Sequence, residues 1–290
     1  MNLIKDIKNK FNNKTLKKIV NVYQLKYKNR VALGLGDFLR GCFCLMQICV
    51  ILNLKFDIDF NNHPLSKYII NNNAEKVDYE NINFFQNNNF STSTQTFVDE
   101  FINYLNNITE ETHYMMCNSF PIIKSISPIG KNIIKFKIVP NKLMQHNILA
   151  RFEKHNISLK KYGVIHIRCG DEYLIDKKTQ INTSFIDIIL KKLKLILNSN
   201  KSYFICSDNN NIKSLIKSKF PNCIYQLTEL NHLGETSVKT DNGIMFALLD
   251  FYTIGYSNEI ISFTKYQHGT GFSQWCSTIF NVPIKKIIIS

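Results

Sequence analysis

From about residue 160 the apolar positions settle into a regular order. The run "YGVIHI" (162 to 167) has the length and continuity of a buried strand, and "SFIDIILKKLKLIL" (184 to 197) repeats its apolar residues at helical spacing. The same alternation continues with strand 202 to 207, helix 211 to 220, short strand 223 to 227, helix 243 to 255, strand 259 to 263, helix 271 to 280 and a closing strand at 285 to 290. Strands alternating with helices predict a parallel sheet covered on both faces.

The amino half is less regular. Residues 30 to 60, "RVALGLGDFLRGCFCLMQICVILNLKFDIDF", predict a strand, a glycine turn, an apolar helix and a second strand, which is the opening of a nucleotide-binding βαβ unit. Residues 61 to 130 are Asn-rich, with a helix predicted near 96 to 108. A chain of 290 residues that is 44% hydrophobic can bury two ordinary cores. The expected fold class is therefore α/β, with two Rossmann-like domains facing a cleft. The first would cover 1 to 150 and the second, nucleotide-binding one 151 to 290.

Charge changes this picture at one end. The formal net charge is +14, and residues 1 to 30 carry nine Lys or Arg against Asp6 alone. Leu3, Ile4, Ile7 and Phe11, and later Leu16, Ile19 and Val20, recur at helical spacing. Two readings stay open: a basic helix in peripheral contact with an anionic membrane, or a helix packed on its domain. Because the excess is concentrated in one terminal segment, no specific nucleic-acid partner is expected. The apolar stretch 41 to 54 is shorter than the roughly 20 residues needed to cross a bilayer, and lysines interrupt any secretory signal. Eight cysteines without a C-x-x-C pair fit reduced thiols, and together these features point to a soluble, cytoplasmic protein.

Four constellations can carry chemistry. In "GVIHIRCGDEY" (163 to 173), Val164, His166 and Arg168 share one strand face, and in open parallel sheets ligands sit beyond the carboxyl ends of strands. Arg168 offers a planar donor fork suited to a diphosphate, although an ion pair with Asp171 would explain it equally well. Asp250 is the only charge in the apolar helix 243 to 255. It can accept the paired donors of guanine, or it can be the partner of a buried Lys or Arg. In "QHGTGFSQW" (267 to 275) two glycines, Thr270 and Ser273 lead into a helix whose N-terminus suits an anion. In "GLGDFLRG" (34 to 41) Gly34 and Gly36 permit close approach to the first helix, with Asp37 in its first turn as cap or catalyst. Asp57 and Asp59 in "FDIDF" alternate as strand residues do, so no metal is expected there.

His-x-Arg-x-Gly-Asp at 166 to 171, Ser207-Asp208 at a strand end and "ALLDFYTIG…EIISF…GTGFSQW" at 247 to 275 together resemble the GT-B fold fucosyltransferases. These comprise the α-1,2, α-1,6 and protein O-fucosyltransferases. The resemblance covers roughly 160 to 283, and the amino half joins it only through "GLGDFLRG". It implies a glycosyltransferase that moves fucose from GDP-fucose to a glycan hydroxyl with inversion, needing neither cofactor nor metal. By the same resemblance Arg168 holds the diphosphate, His166 and Asp250 approach the guanine, and Thr270, Phe272 and Ser273 line the phosphate loop. Cys169 and Gly271 depart from the family pattern, which puts one phosphate contact in doubt. For the catalytic base Asp37 is the first candidate, because its loop is expected to face the cleft; it also resembles the aspartate of heptosyltransferases, and Asp176 and Glu235 follow. A heptosyltransferase-like enzyme, or a basic binding module on an inactive scaffold, are the alternatives.

Overall fold

The computed structural model describes residues 3–27, 30–31, 34–70, 77–86, 93–174, 180–234 and 240–289. The chain forms two compact units, Met1–Val139 and Pro140–Ser290.

The first unit contains α1 (Leu3–Lys10), β1 (Lys18–Val22), a two-strand ribbon of β2 (Lys26–Tyr27) and β3 (Arg30–Val31), α2 (Leu35–Leu52) and β4 (Lys55–Asp59). It continues with β5 (Asn83–Phe85), α3 (Ser93–Asn106), β6 (Thr112–Cys117) and α4 (Pro128–Lys137). Its main sheet is parallel, in the order β4-β1-β6-β5. The βαβ unit expected from residue 30 thus begins a dozen residues earlier. Ile19 pairs with Phe56 on one side and His113 on the other, so Leu16, Ile19 and Val20 are not the second half of an amino-terminal helix. A short apolar run fits either period, and the β-branched residues of 19 to 22 prefer the pleated, buried surface.

The amino-terminal helix α1 is only eight residues long. Its apolar residues Leu3 and Ile7, with Phe11 beyond it, pack into the core formed by α2, α3 and β6. Lys10 bonds Asp99 and Asp6 is held by Gln95, both on α3. Leu3, Ile7 and Phe11, part of the apolar face that a membrane contact through residues 1 to 30 would use, are therefore turned into the protein, while Ile4 stays exposed. Helix α2 is 18 residues long and apolar enough to cross a membrane by length and composition, longer than the 41 to 54 run suggested. Here it is the core helix, with Phe38 to Cys49 buried except for Arg40. Gly41 explains its approach to the sheet, because a Cβ there would lie 1.7 Å from the Cys117 carbonyl oxygen. Asp57 pairs with Lys18 and Lys137, while buried Asp59 accepts from the Tyr79 hydroxyl. The Asp-x-Asp run therefore does structural work through two separate sets of partners.

The second unit begins with α5 (Lys142–Lys154), a helix that the expected boundary at 150 divides between the two domains. It goes on through β7 (Gly163–Arg168), α6 (Asp171–Leu174), α7 (Thr183–Ile196), β8 (Tyr203–Ser207), α8 (Asn210–Lys219) and β9 (Cys223–Tyr225). Helix α9 (Asp241–Gly255), β10 (Glu259–Thr264), α10 (Gly271–Phe280) and β11 (Ile284–Ile288) complete it. The sheet is parallel throughout, ordered β11-β10-β7-β8-β9. Ile165 and Ile167 pack with α7 and α8 on one face. His166 faces the other, against α9 and α10. The chain starts at β7, builds outward to β9, then returns to lay β10 on the other side of β7. The β7/β10 junction is the point where strand order reverses, and such a switch leaves a crevice at the carboxyl edge where ligands bind.

Candidate functional site

The carboxyl ends of β7, β8 and β10 bring charged and polar side chains to that crevice. Arg168 ends β7 with a guanidinium held by two carboxylates. Nη1 donates to Asp208 Oδ2 at 2.7 Å, and Nη2 donates to Asp171. Asp208, just past β8, also accepts the backbone N–H groups of Cys169 at 2.8 Å and Gly170 at 3.1 Å. Gly170 has φ +149°, a conformation that favours glycine, and this lets its N–H turn back to Asp208. Asp208 is thus the brace that aims Arg168, and it is buried. Asp171 is 55% exposed, so an incoming anion can displace it while the brace remains. The ion pair and the ligand role proposed for Arg168 are therefore compatible.

Lys265 follows β10 and bonds Glu172 at 2.5 Å, a contact that raises its pKa. Tyr266 accepts the Asp171 N–H through its hydroxyl. Helix α10 then starts at Thr270, whose side chain makes no capping bond. The N–H groups of its first turn point outward without intrahelical acceptors, which is the arrangement that attracts phosphate. Phe272 lies over the His166 ring at 5.8 Å and meets Phe251 edge-on at 5.5 Å. Ser273 departs from expectation: its hydroxyl is fully buried and bonds Ser262 at 3.1 Å, so only its backbone can contribute to an anion site. The helical period turns its side chain toward β10.

His166 is buried, and burial lowers its pKa to about 4; Arg168 acts in the same direction while Asp208 and Asp250 oppose it. Its Nδ1 has no hydrogen-bond partner. Asp250 is near enough for its charge to oppose the lowering of the His166 pKa. Asp250 nevertheless has a protein partner, the alternative left open by the sequence. Arg151 Nη1 donates to its Oδ1 at 2.6 Å. Arg151 and Asp208 carried no individual role in the sequence reading. Arg151 gave no signal, whereas Asp208 could have been found as the first carboxylate beyond the strand neighbouring β7.

His166 and Arg168 thus lie on β7 with Phe272 against the His166 ring and Thr270 at the start of α10, while Asp250 lies on α9 paired with Arg151. Gly34, Gly36 and Asp37 belong to the other unit. Gly34 is the N-cap of α2 and Asp37 lies in its first turn, so Asp37 is not the cap. Its carboxylate is 46% exposed and 3.1 Å from Arg40, which in turn donates to the Asn118 carbonyl. Asp176 and Glu235 lie outside the described residues. Among the described residues, no three His, Cys, Asp or Glu side chains gather as a metal site would require.

No protein-family model matches the sequence, and no curated protein matches it either. Solved structures do. NodZ alpha-1,6-fucosyltransferase soaked with GDP-fucose superposes with a TM-score of 0.55 at 14% identity, over 93% of this chain and 94% of that one. Fucosyltransferase NodZ from Bradyrhizobium gives 0.54 at 15% identity, with the same coverage. A mutant of Arabidopsis thaliana FUT1 in complex with GDP gives 0.54 at 10% identity, over 98% of this chain and 73% of that one. The chain has the GT-B fold of these fucosyltransferase structures.

Proposed function

We propose that this protein is a glycosyltransferase that uses a nucleoside-diphosphate sugar, and specifically that it transfers fucose from GDP-fucose to a glycan hydroxyl with inversion and without a metal. The observation that carries this reading is Arg168, braced by Asp208 at the switch point of a nucleotide-binding sheet, beside the uncapped start of α10. The fold shared with structures holding GDP or GDP-fucose supports it.

In this mechanism the sugar–phosphate bond breaks as an acceptor hydroxyl attacks the anomeric carbon. Negative charge then develops on the departing GDP. Arg168 and the first-turn N–H groups of α10 stabilise that charge, and they are already oriented before the reaction begins. Phe272 and His166 form a flat wall for the nucleoside. Asp250 accepts the donor pair on the Watson–Crick edge of guanine. Asp37 is the proposed base, since an exposed carboxylate can take the acceptor proton, a step worth about 10²- to 10⁴-fold. Asp176 is the second candidate. Eight reduced cysteines support placing the enzyme in the cytoplasm.

Calorimetric titration with GDP, UDP and ADP tests the donor assignment. GDP should bind at least tenfold more tightly; equal affinities refute the guanine reading. Arg168→Ala should lose about 3–4 kcal/mol of transition-state stabilisation with GDP-fucose, and near-normal turnover would remove it from the mechanism. Turnover should also survive EDTA, and its loss would refute metal independence.

A further inference from the structure

Asp250 can recognise a base only if its carboxylate is held in one orientation, and the helix that carries it does not supply the constraint. Arg151, from α5, does. Nη1 bonds Asp250 Oδ1 at 2.6 Å and Thr253 Oγ1 at 3.0 Å, and Nε bonds Gln226 Oε1 at 3.0 Å. The guanidinium also lies over the Phe204 ring, 5.1 Å from its centroid. It is therefore tied to α9, to the segment after β9 and to β8. The Arg151 side chain is 1% exposed, so a ligand cannot reach it. The Asp250 side chain is 15% exposed, so a ligand can.

Such investment is unnecessary for packing alone. A buried ion pair is weak evidence for stability, since apolar residues of similar volume often do as well. Here Nη2 of Arg151 is buried without a partner, a further cost that a purely structural pair would not retain. The neighbouring Lys213 is buried too, bonding Thr228 Oγ1 at 3.0 Å rather than Asp250. Arg151 is thus the group that dictates how the carboxylate faces the crevice.

We propose that Arg151 is a positioning residue that sets the base preference of the nucleotide site by fixing the outward-facing carboxylate of Asp250. This rests on the GDP-sugar reading above. A carboxylate held in this way accepts two adjacent N–H donors, as guanine offers. Adenine turns a ring-nitrogen acceptor toward it and is disfavoured. Lysine in place of Arg151 keeps the charge but lacks the planar fork that sets direction.

The test is calorimetric titration of GDP and ADP into the full-length protein and its Arg151→Lys variant, with thermal unfolding recorded alongside. The ratio of the two affinities is independent of the folded fraction. Arg151→Lys should lower the GDP preference by about tenfold, the value of one lost charge-assisted hydrogen bond, and leave ADP affinity within about twofold. Thr253→Val, which loosens the guanidinium but keeps the ion pair, should lower the same ratio by a smaller factor and serves if Arg151→Lys fails to fold. An unchanged ratio in a folded variant, whatever its melting temperature, overturns the proposal. Equal affinity of the unaltered protein for GDP and ADP overturns the guanine reading and the proposal together, and is told apart because it appears without any substitution.

Discussion

At the scale of single residues, burial decides more than residue type. His166 titrates near 6.5 in an unfolded chain but at about 4 here. As pH falls from 6.5 to 4, the unfolded state takes up a proton that the folded state resists. Stability is therefore complete above the window and declines through it by about 3 kcal/mol, levelling off below pH 4. Urea midpoints measured across that range should show the decline, and His166→Phe should flatten it relative to the parent; equal slopes would refute the assignment. Asp208 acts on several groups at once. Asp208→Ala leaves the Arg168 guanidinium without its buried brace and two backbone N–H groups without acceptors, so about 3–5 kcal/mol of stability should be lost in chemical denaturation. Both residues were visible in the sequence as polar groups at strand ends. The partners of Asp208 were not, because hydrogen bonds spanning about 40 positions leave no local pattern.

At the scale of elements, the carboxyl half was legible and the amino end was not. Strand β7 and helices α7 to α10 lie within two residues of their expected positions, since each is long and strongly periodic. The first strand was misplaced because Leu16, Ile19 and Val20 fit a helical spacing by accident and become a central strand through pairing with β4 and β6. The loop "GLGDFLRG" shows a similar division. Its last glycine falls outside the dinucleotide fingerprint, yet Gly41 performs the task of a close-packing glycine by letting α2 press on the end of β6. Gly41→Ala would drive a methyl into backbone, which cannot yield as a side chain can. It should cost at least about 1–3 kcal/mol and lower the melting temperature of the first unit, whereas an unchanged melting curve would show that α2 can shift.

At the scale of the whole molecule, the net charge of +14 and the two α/β units make different claims about partners. A basic surface attracts any polyanion, and binding to nonspecific DNA should fall by roughly 10³-fold or more between 50 and 200 mM salt if six or more phosphates are contacted. Preference for GDP over ADP depends on hydrogen bonds of equal charge cost and should persist across that range. If selectivity vanished with salt, the basic-module reading would gain over the enzyme. The sequence by itself determined the α/β class, the order of strands and helices in the second unit, and the placement of His166 and Arg168 on one strand face, because periodicity is a local property of the chain. Only the tertiary structure decided that α1 spends its apolar face on the core, that Ser273 turns inward, and that Arg151 and Asp208 hold Asp250 and Arg168 in place. Those outcomes depend on which distant residues share a buried, low-dielectric space, where every unpaired charge must find a partner.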